Sequence, residues 1–114
     1  MGEPQKSSLG GEDSKVGDKG AVAIADNAVW TNLKYLDLSG SEISDEGCIV
    51  LATSARWKQL RELNLSFNNV GWKSLLALSL NSTWTRIKEI ALNIKSETTT
   101  KSGTKGTHLE LFLE

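Results

Sequence analysis

The sequence predicts an α/β solenoid, a short right-handed coil of two layers with parallel strands on the concave face and helices on the convex face. Three observations lead there. First, apolar residues recur every 27 positions, Leu33, Leu36 and Leu38 returning as Leu60, Leu63 and Leu65 and again as Ile87, Ile90 and Leu92. All nine are aliphatic. Second, the same shift relates Trp30, Trp57 and Trp84, relates Val16, Ile43 and Val70, and aligns VGDKGAVAIA (16–25) with ISDEGCIVLA (43–52). Third, each unit joins a stretch alternating apolar and polar residues, as strands do, to one with apolar residues three and four apart, as helices do. A strict period of this length marks stacked units, none of which can bury its apolar face alone.

Taken in order, residues 1–15 (MGEPQKSSLGGEDSK) hold the only proline and one aliphatic side chain, Leu9. Leu9 lies 27 positions before Leu36, but Lys6 and Gly11 stand where Leu33 and Leu38 recur, so a flexible or degenerate lead-in is expected. The repeats then occupy 16–94. A first helix starting at Gly17 and Asp18 puts Ala21, Ile24, Ala25 and Ala28 on one face, small enough to lie close to a sheet. A second starts at Ser44, a favourable cap, with Asp45 and Glu46 in the first turn, and presents Cys48, Leu51, Ala52 and Ala55. A third, near Trp72 to Asn81, presents Leu75, Leu78 and Ser79. Strands are expected at 34–38, 61–65 and 88–92, joined by right-handed crossovers. The polar run 95–107 (KSETTTKSGTKGT) reads as a loop, and HLELFLE (108–114) alternates as a C-terminal strand capping the open edge.

The segment Leu60 to Val70 spells L-x-x-L-x-L-x-x-N-x-V, with the asparagine at Asn68, and resembles a leucine-rich repeat. The period of 27 and the D-x-G-x-x-x-L-A half at Asp45 to Ala52 resemble the ribonuclease-inhibitor-like subclass. The pattern covers 16–94 and departs where Ser41 replaces the asparagine, where Trp72 replaces the aspartate, and after Ile94. The resemblance implies a non-enzymatic protein–protein interaction module that docks a partner on its strand face, without a cofactor.

Composition narrows the classes further. With 114 residues the chain is one domain at most. Thirteen basic against fourteen acidic side chains give a net charge of −1, so the basic excess that phosphate backbones require is missing and no nucleic acid is expected. No apolar run has the length of a membrane span, one cysteine cannot form an internal disulfide, and the first residues lack a signal-peptide core; no membrane partner and a cytoplasmic location are expected. Phosphate-cradling loops, a nucleophile elbow and metal-spaced His or Cys clusters are all missing, so no catalytic residue and no metal ligand is assigned. Cys48 aligns with the apolar Ala21 and Leu75, and His108 lies far from it in sequence; neither points to chemistry. The three repeated tryptophans are expected to stack along the solenoid, whereas Trp72 breaks the pattern and is the one to watch for binding or self-association.

Alternation from the ladder leucines leaves Tyr35, Asp37 and Ser39, then Glu62, Asn64 and Ser66, then Glu89, Ala91 and Asn93 facing outward. All of these except Ala91 are the candidate partner-binding residues. Their surface is polar, mildly acidic and anchored by one aromatic, which suits a protein ligand carrying basic groups. Lys34, Arg61 and Lys88 run alongside in register. Two other readings stand beside this one. A structural or terminal fragment of a longer array would self-associate through exposed solenoid ends, although Met1 and the irregular last strand favour a complete small protein. A regulator of a small GTPase would resemble the Ran-GTPase-activating proteins, which place an arginine in the loops after their strands. The corresponding loops here, SGSE (39–42) and SFNN (66–69), have none. The sequons at Asn64 and Asn81 read as chance.

Overall fold

The computed structural model describes residues 6–8, 16–26, 32–54, 56–94 and 107–112, with the side chains of 16–26, 32–53 and 56–94. In chain order these form β1 (Lys6–Ser8), α1 (Gly17–Ala25), β2 (Tyr35–Asp37), α2 (Asp45–Ser54), β3 (Glu62–Leu65), α3 (Trp72–Ser79), β4 (Glu89–Ile94) and β5 (Thr107–Phe112). One sheet runs β1-β2-β3-β4-β5. The first four strands are parallel and β5 returns antiparallel to β4. This is the α/β solenoid that the period predicts.

The apolar ladder holds the layers together. Register places Leu36 beside Leu63 and Leu63 beside Ile90. Leu33, Leu38, Leu60, Leu65 and Leu92 are buried with them, and Ile87 packs partly buried against the same core. From the helical side come Ala21 and Ala25, Cys48, Leu51 and Ala52, and Leu78. Each buried aliphatic side chain contributes about 1.5–3 kcal/mol. Trp57 and Trp84, buried behind the strands, stack with ring centroids 6.1 Å apart and planes 12° from parallel. Trp30, Ala28, Ala55, Leu9 and the loop 95–106 lie outside the described residues.

Several polar side chains tie neighbouring units together, while the buried Trp57 and Trp84 indole N–H groups have no hydrogen-bond partner among the described residues. Asn68 Oδ1 accepts from Ser41 N (2.9 Å) and Ile43 N (3.0 Å), and its Nδ2 donates to Leu38 O (2.8 Å) in the preceding unit and Leu65 O (3.0 Å) in its own. Asp18, in the first turn of α1, accepts from Ser44 N (2.8 Å) and Gly47 N (3.1 Å) and so caps α2. Asp45 does the same for α3, accepting from Gly71 N (2.8 Å) and from the backbone and hydroxyl of Ser74. A helix start leaves four N–H groups without partners, and here the previous helix supplies the acceptor. At Gly47 a Cβ would strike the Asp18 carboxylate, whereas in the next unit Ser74 takes that place and turns its hydroxyl to Asp45.

Two expectations need correcting, the Ser44 cap and the inner face of α3. Ser44 does not cap α2 with its own hydroxyl, which donates to Asp18 Oδ2 at 2.5 Å. In α3 the buried positions are Ser74 and Leu78, while Leu75 is half-buried and Ser79 exposed, because Ser74 occupies the place of Gly47 and turns its hydroxyl to Asp45. Within the lead-in Lys6–Ser8 form β1, whose pairing places Ser7 beside Leu36, two residues out of step with the 27-residue shift; the rest of 1–15 lies outside the described residues. The C-terminal strand is described over Thr107–Phe112, setting Leu109 opposite Leu92 and Leu111 opposite Ile90; 113 and 114 lie outside the described residues.

Replacing Leu63 by Ala is expected to cost about 2–5 kcal/mol by opening a cavity in the middle of the ladder, measured as a fall in the denaturant midpoint. Replacing Asp45 by Ala uncaps α3 and is expected to cost about 0.5–2 kcal/mol. Burial pushes the Asp45 carboxyl up, but hydrogen bonds from Ser74 and Gly71 and the nearby Lys73 outweigh it and hold the pKa below its ordinary value. A carboxyl depressed on folding stabilises above its unfolded pKa, and that contribution is lost as pH falls through the folded one. The stability gap between wild type and Asp45→Asn is therefore expected to be full near neutral pH and to shrink below about pH 4.

Candidate functional site

The outward strand positions form columns across the sheet. Tyr35 pairs with Glu62 and Glu62 with Glu89; Asp37 pairs with Asn64 and Asn64 with Ala91. Parallel neighbours lie about 4.8 Å apart, so the register places Glu62 and Glu89 on adjacent strands of one column. Glu62 is exposed, and Tyr35, Asp37, Ser39, Asn64, Glu89 and Asn93 are half-buried. Ser66 is not outward. It is 5 % exposed, because the chain turns at its position and draws it in, its N–H donating to Asn64 Oδ1 at 2.9 Å and its carbonyl accepting from Gly40 N at 2.9 Å.

Several of these side chains also shape the turns. Asp37 Oδ1 accepts from Ser39 N at 2.9 Å, as Asn64 does from Ser66, so both hold the chain two residues on in an Asx turn. Asn93 Oδ1 accepts from Phe67 N at 2.5 Å and ties the second turn to the third strand.

Phe67 is the residue that sequence reasoning missed. Its ring is 77 % exposed, and its φ of 58° matches that of Gly40, its counterpart in the previous unit. The left-handed conformation is natural to glycine and costs a bulky residue about 1–2 kcal/mol. Phenylalanine thus stands exposed at a position that is glycine in the previous unit. The replacement of Gly40 by Phe67 at the 27-residue shift was its only sequence signal.

Cys48 is fully buried, and burial pushes its thiol up to about 11 despite a hydrogen bond with Ser74. It is a core residue, consistent with its alignment to Ala21. Among the described residues no cluster of three or more His, Cys, Asp or Glu could hold a metal ion, and no helix is long and apolar enough to cross a membrane.

Fold and surface together define a class: a repeat scaffold whose strand face carries a polar column with an exposed aromatic at its margin. The Leucine Rich repeat family model matches residues 31–52 and 59–81, the two units built on Leu33–Leu38 and Leu60–Leu65, and supports a leucine-rich repeat protein. Such repeats are generally protein-interaction modules and typically non-enzymatic. No protein of curated function matches the chain.

A thiol both buried and raised is unreactive. Native protein is expected to leave Cys48 unmodified by a thiol-specific reagent at pH 8, with one equivalent reacting after denaturation, followed by absorbance.

Proposed function

We propose that the chain is a cytoplasmic protein-docking module of the ribonuclease-inhibitor-like kind, binding its partner through Tyr35, Asp37, Ser39, Glu62, Asn64, Glu89 and Asn93, with Phe67 at the margin. The observation that carries this reading is Phe67, held exposed in a conformation unfavourable to its own side chain just past the end of the strand whose first residue, Glu62, belongs to the registered column Tyr35–Glu62–Glu89. Aromatic side chains dominate interface energetics, and adjacent carboxylates favour a basic partner and speed its encounter. The complementary surface is a protein segment with arginine or lysine beside an apolar pocket. Shape and side-chain pattern do the recognition, and no reaction follows.

The experiment compares capture from lysate by wild type, by the folded variant Tyr35→Ala/Glu62→Lys/Glu89→Lys, and by Phe67→Gly. The first variant is expected to lose the partner. The second separates binding from folding, since glycine relieves the backbone: stability is expected to stay within about 1 kcal/mol of wild type or to rise, while the partner is lost. Equal capture by all three refutes the strand face as the docking site, and self-association of wild type in sedimentation supports an array element instead.

A further inference from the structure

The helical layer carries a second surface that the strand-face reading leaves unused. Val22, Ile49 and Leu76 occupy one repeat position at 27-residue spacing on the outside of α1, α2 and α3, and Val22 and Leu76 are exposed. The column widens between α2 and α3 into a groove of about 520 Å³, walled by Ile49 and Thr53 on one side and Trp72, Leu76 and Leu80 on the other. Trp72, Leu76 and Leu80 are 53 %, 51 % and 73 % exposed, four residues apart along one stripe of about 12 Å.

The groove is preformed, its exposed wall is mostly apolar, and Thr53, Lys73, Asn81, Ser82 and Thr83 are its polar lining residues. Asn81 Nδ2 donates to Ala52 O at 2.6 Å and its Oδ1 accepts from Thr83 N and Trp84 N at 2.8 Å, locking the end of α2 to the chain after α3. Thr53 turns its hydroxyl back to Ile49 O at 2.7 Å. Lys73 is the only charged side chain lining the groove, its Nζ 6.0 Å from the centroid of the Trp72 ring. Asp45 feels that charge, but its Oδ1 is taken by Gly71 and Ser74, and it does not line the groove.

We propose that this groove binds an amphipathic helix of a partner protein, its apolar stripe on Trp72, Leu76 and Leu80 and an acidic residue against Lys73. A helix fits because it pairs its own backbone, whereas an extended segment would lay N–H and C=O groups on the side chains of Trp72, Leu76 and Leu80, which pair with none of them. Charge favours a different protein over a second copy of this chain, since two copies would face each other with a lysine each and no acid lining either groove. The run 95–106 contains no aliphatic or aromatic side chain with which to fill it.

The test titrates synthetic helices of about three turns into the ¹⁵N-labelled whole chain and follows amide shifts by NMR. One peptide has apolar residues at i, i+4, i+7 and i+8 flanked by Glu, one has Lys in place of Glu, and one is scrambled. The Glu-flanked helix is expected to shift α2 and α3 amides selectively. Leu76→Asp, at an exposed site and checked for folding by circular dichroism, is expected to weaken it at least about tenfold. Lys73→Glu is expected to reverse the preference toward the Lys-flanked peptide. Equal shifts from the scrambled peptide, no binding by either designed helix, or no effect of Leu76→Asp overturns the proposal. A wild-type dimer in sedimentation that Leu76→Asp abolishes assigns the groove to a second copy, and binding to neutral lipid vesicles assigns it to a membrane; either result also overturns it.

Discussion

Each unit of this chain depends on hydrogen bonds from its neighbour, and the most consequential are the carboxylates of Asp18 and Asp45 at the starts of α2 and α3. Asn68 acts in the opposite direction, reaching back to the turn before it. Apolar stacking alone would allow units to slide or rotate against one another, since burial is not directional. The polar contacts fix the spacing, because a buried N–H or C=O left unpaired costs about 1–3 kcal/mol. Ladder and caps thus do different work: one supplies most of the energy and the other sets the geometry in which the strand columns come into register.

The same dependence explains how the series ends. Trp72 stands where Asp18 and Asp45 stood, and an indole cannot accept from a following helix start. At that position the chain exchanges a group that joins units for a large apolar side chain, and with Leu76 and Leu80 it leaves the outer side of α3 uncovered. Exposed apolar residues scattered singly are ordinary, whereas a contiguous stripe along one helix is not. The sheet closes differently, with β5 returning antiparallel on β4 and keeping that strand from being an edge.

The sequence revealed whatever the period repeats. The ladder, the order of strands and helices, and the stacking of Trp57 on Trp84 all sit at fixed spacing and were legible from it. What it hid falls into two physical kinds. Contacts between units do not appear in a local pattern, so Ser44 read as a cap although its hydroxyl serves Asp18, and nothing local marked Ser74, buried with its hydroxyl donating to Asp45. Turns also end the alternation of strands, so counting onward from Leu65 placed Ser66 outside when the turn carries it in. Exceptions to the period turned out to be more informative about surfaces than the period itself, as with Phe67 for Gly40 and Trp72 for aspartate.

The two surfaces lie on opposite layers and differ in character. The strand column is polar and acidic with Phe67 at its end; the helical groove is apolar with a single lysine. Neither occupant would block the other. A solenoid this short has little stability to spare, and a partner that binds only the folded form adds RT ln(1 + [L]/Kd), about 2.7 kcal/mol at a hundredfold excess over Kd. Occupation of one face therefore holds the other in its binding shape whenever the free chain is partly unfolded. Coupling between the surfaces would then need no conformational switch, only the cooperativity of a ladder whose units are tied together by Asp18, Asp45 and Asn68.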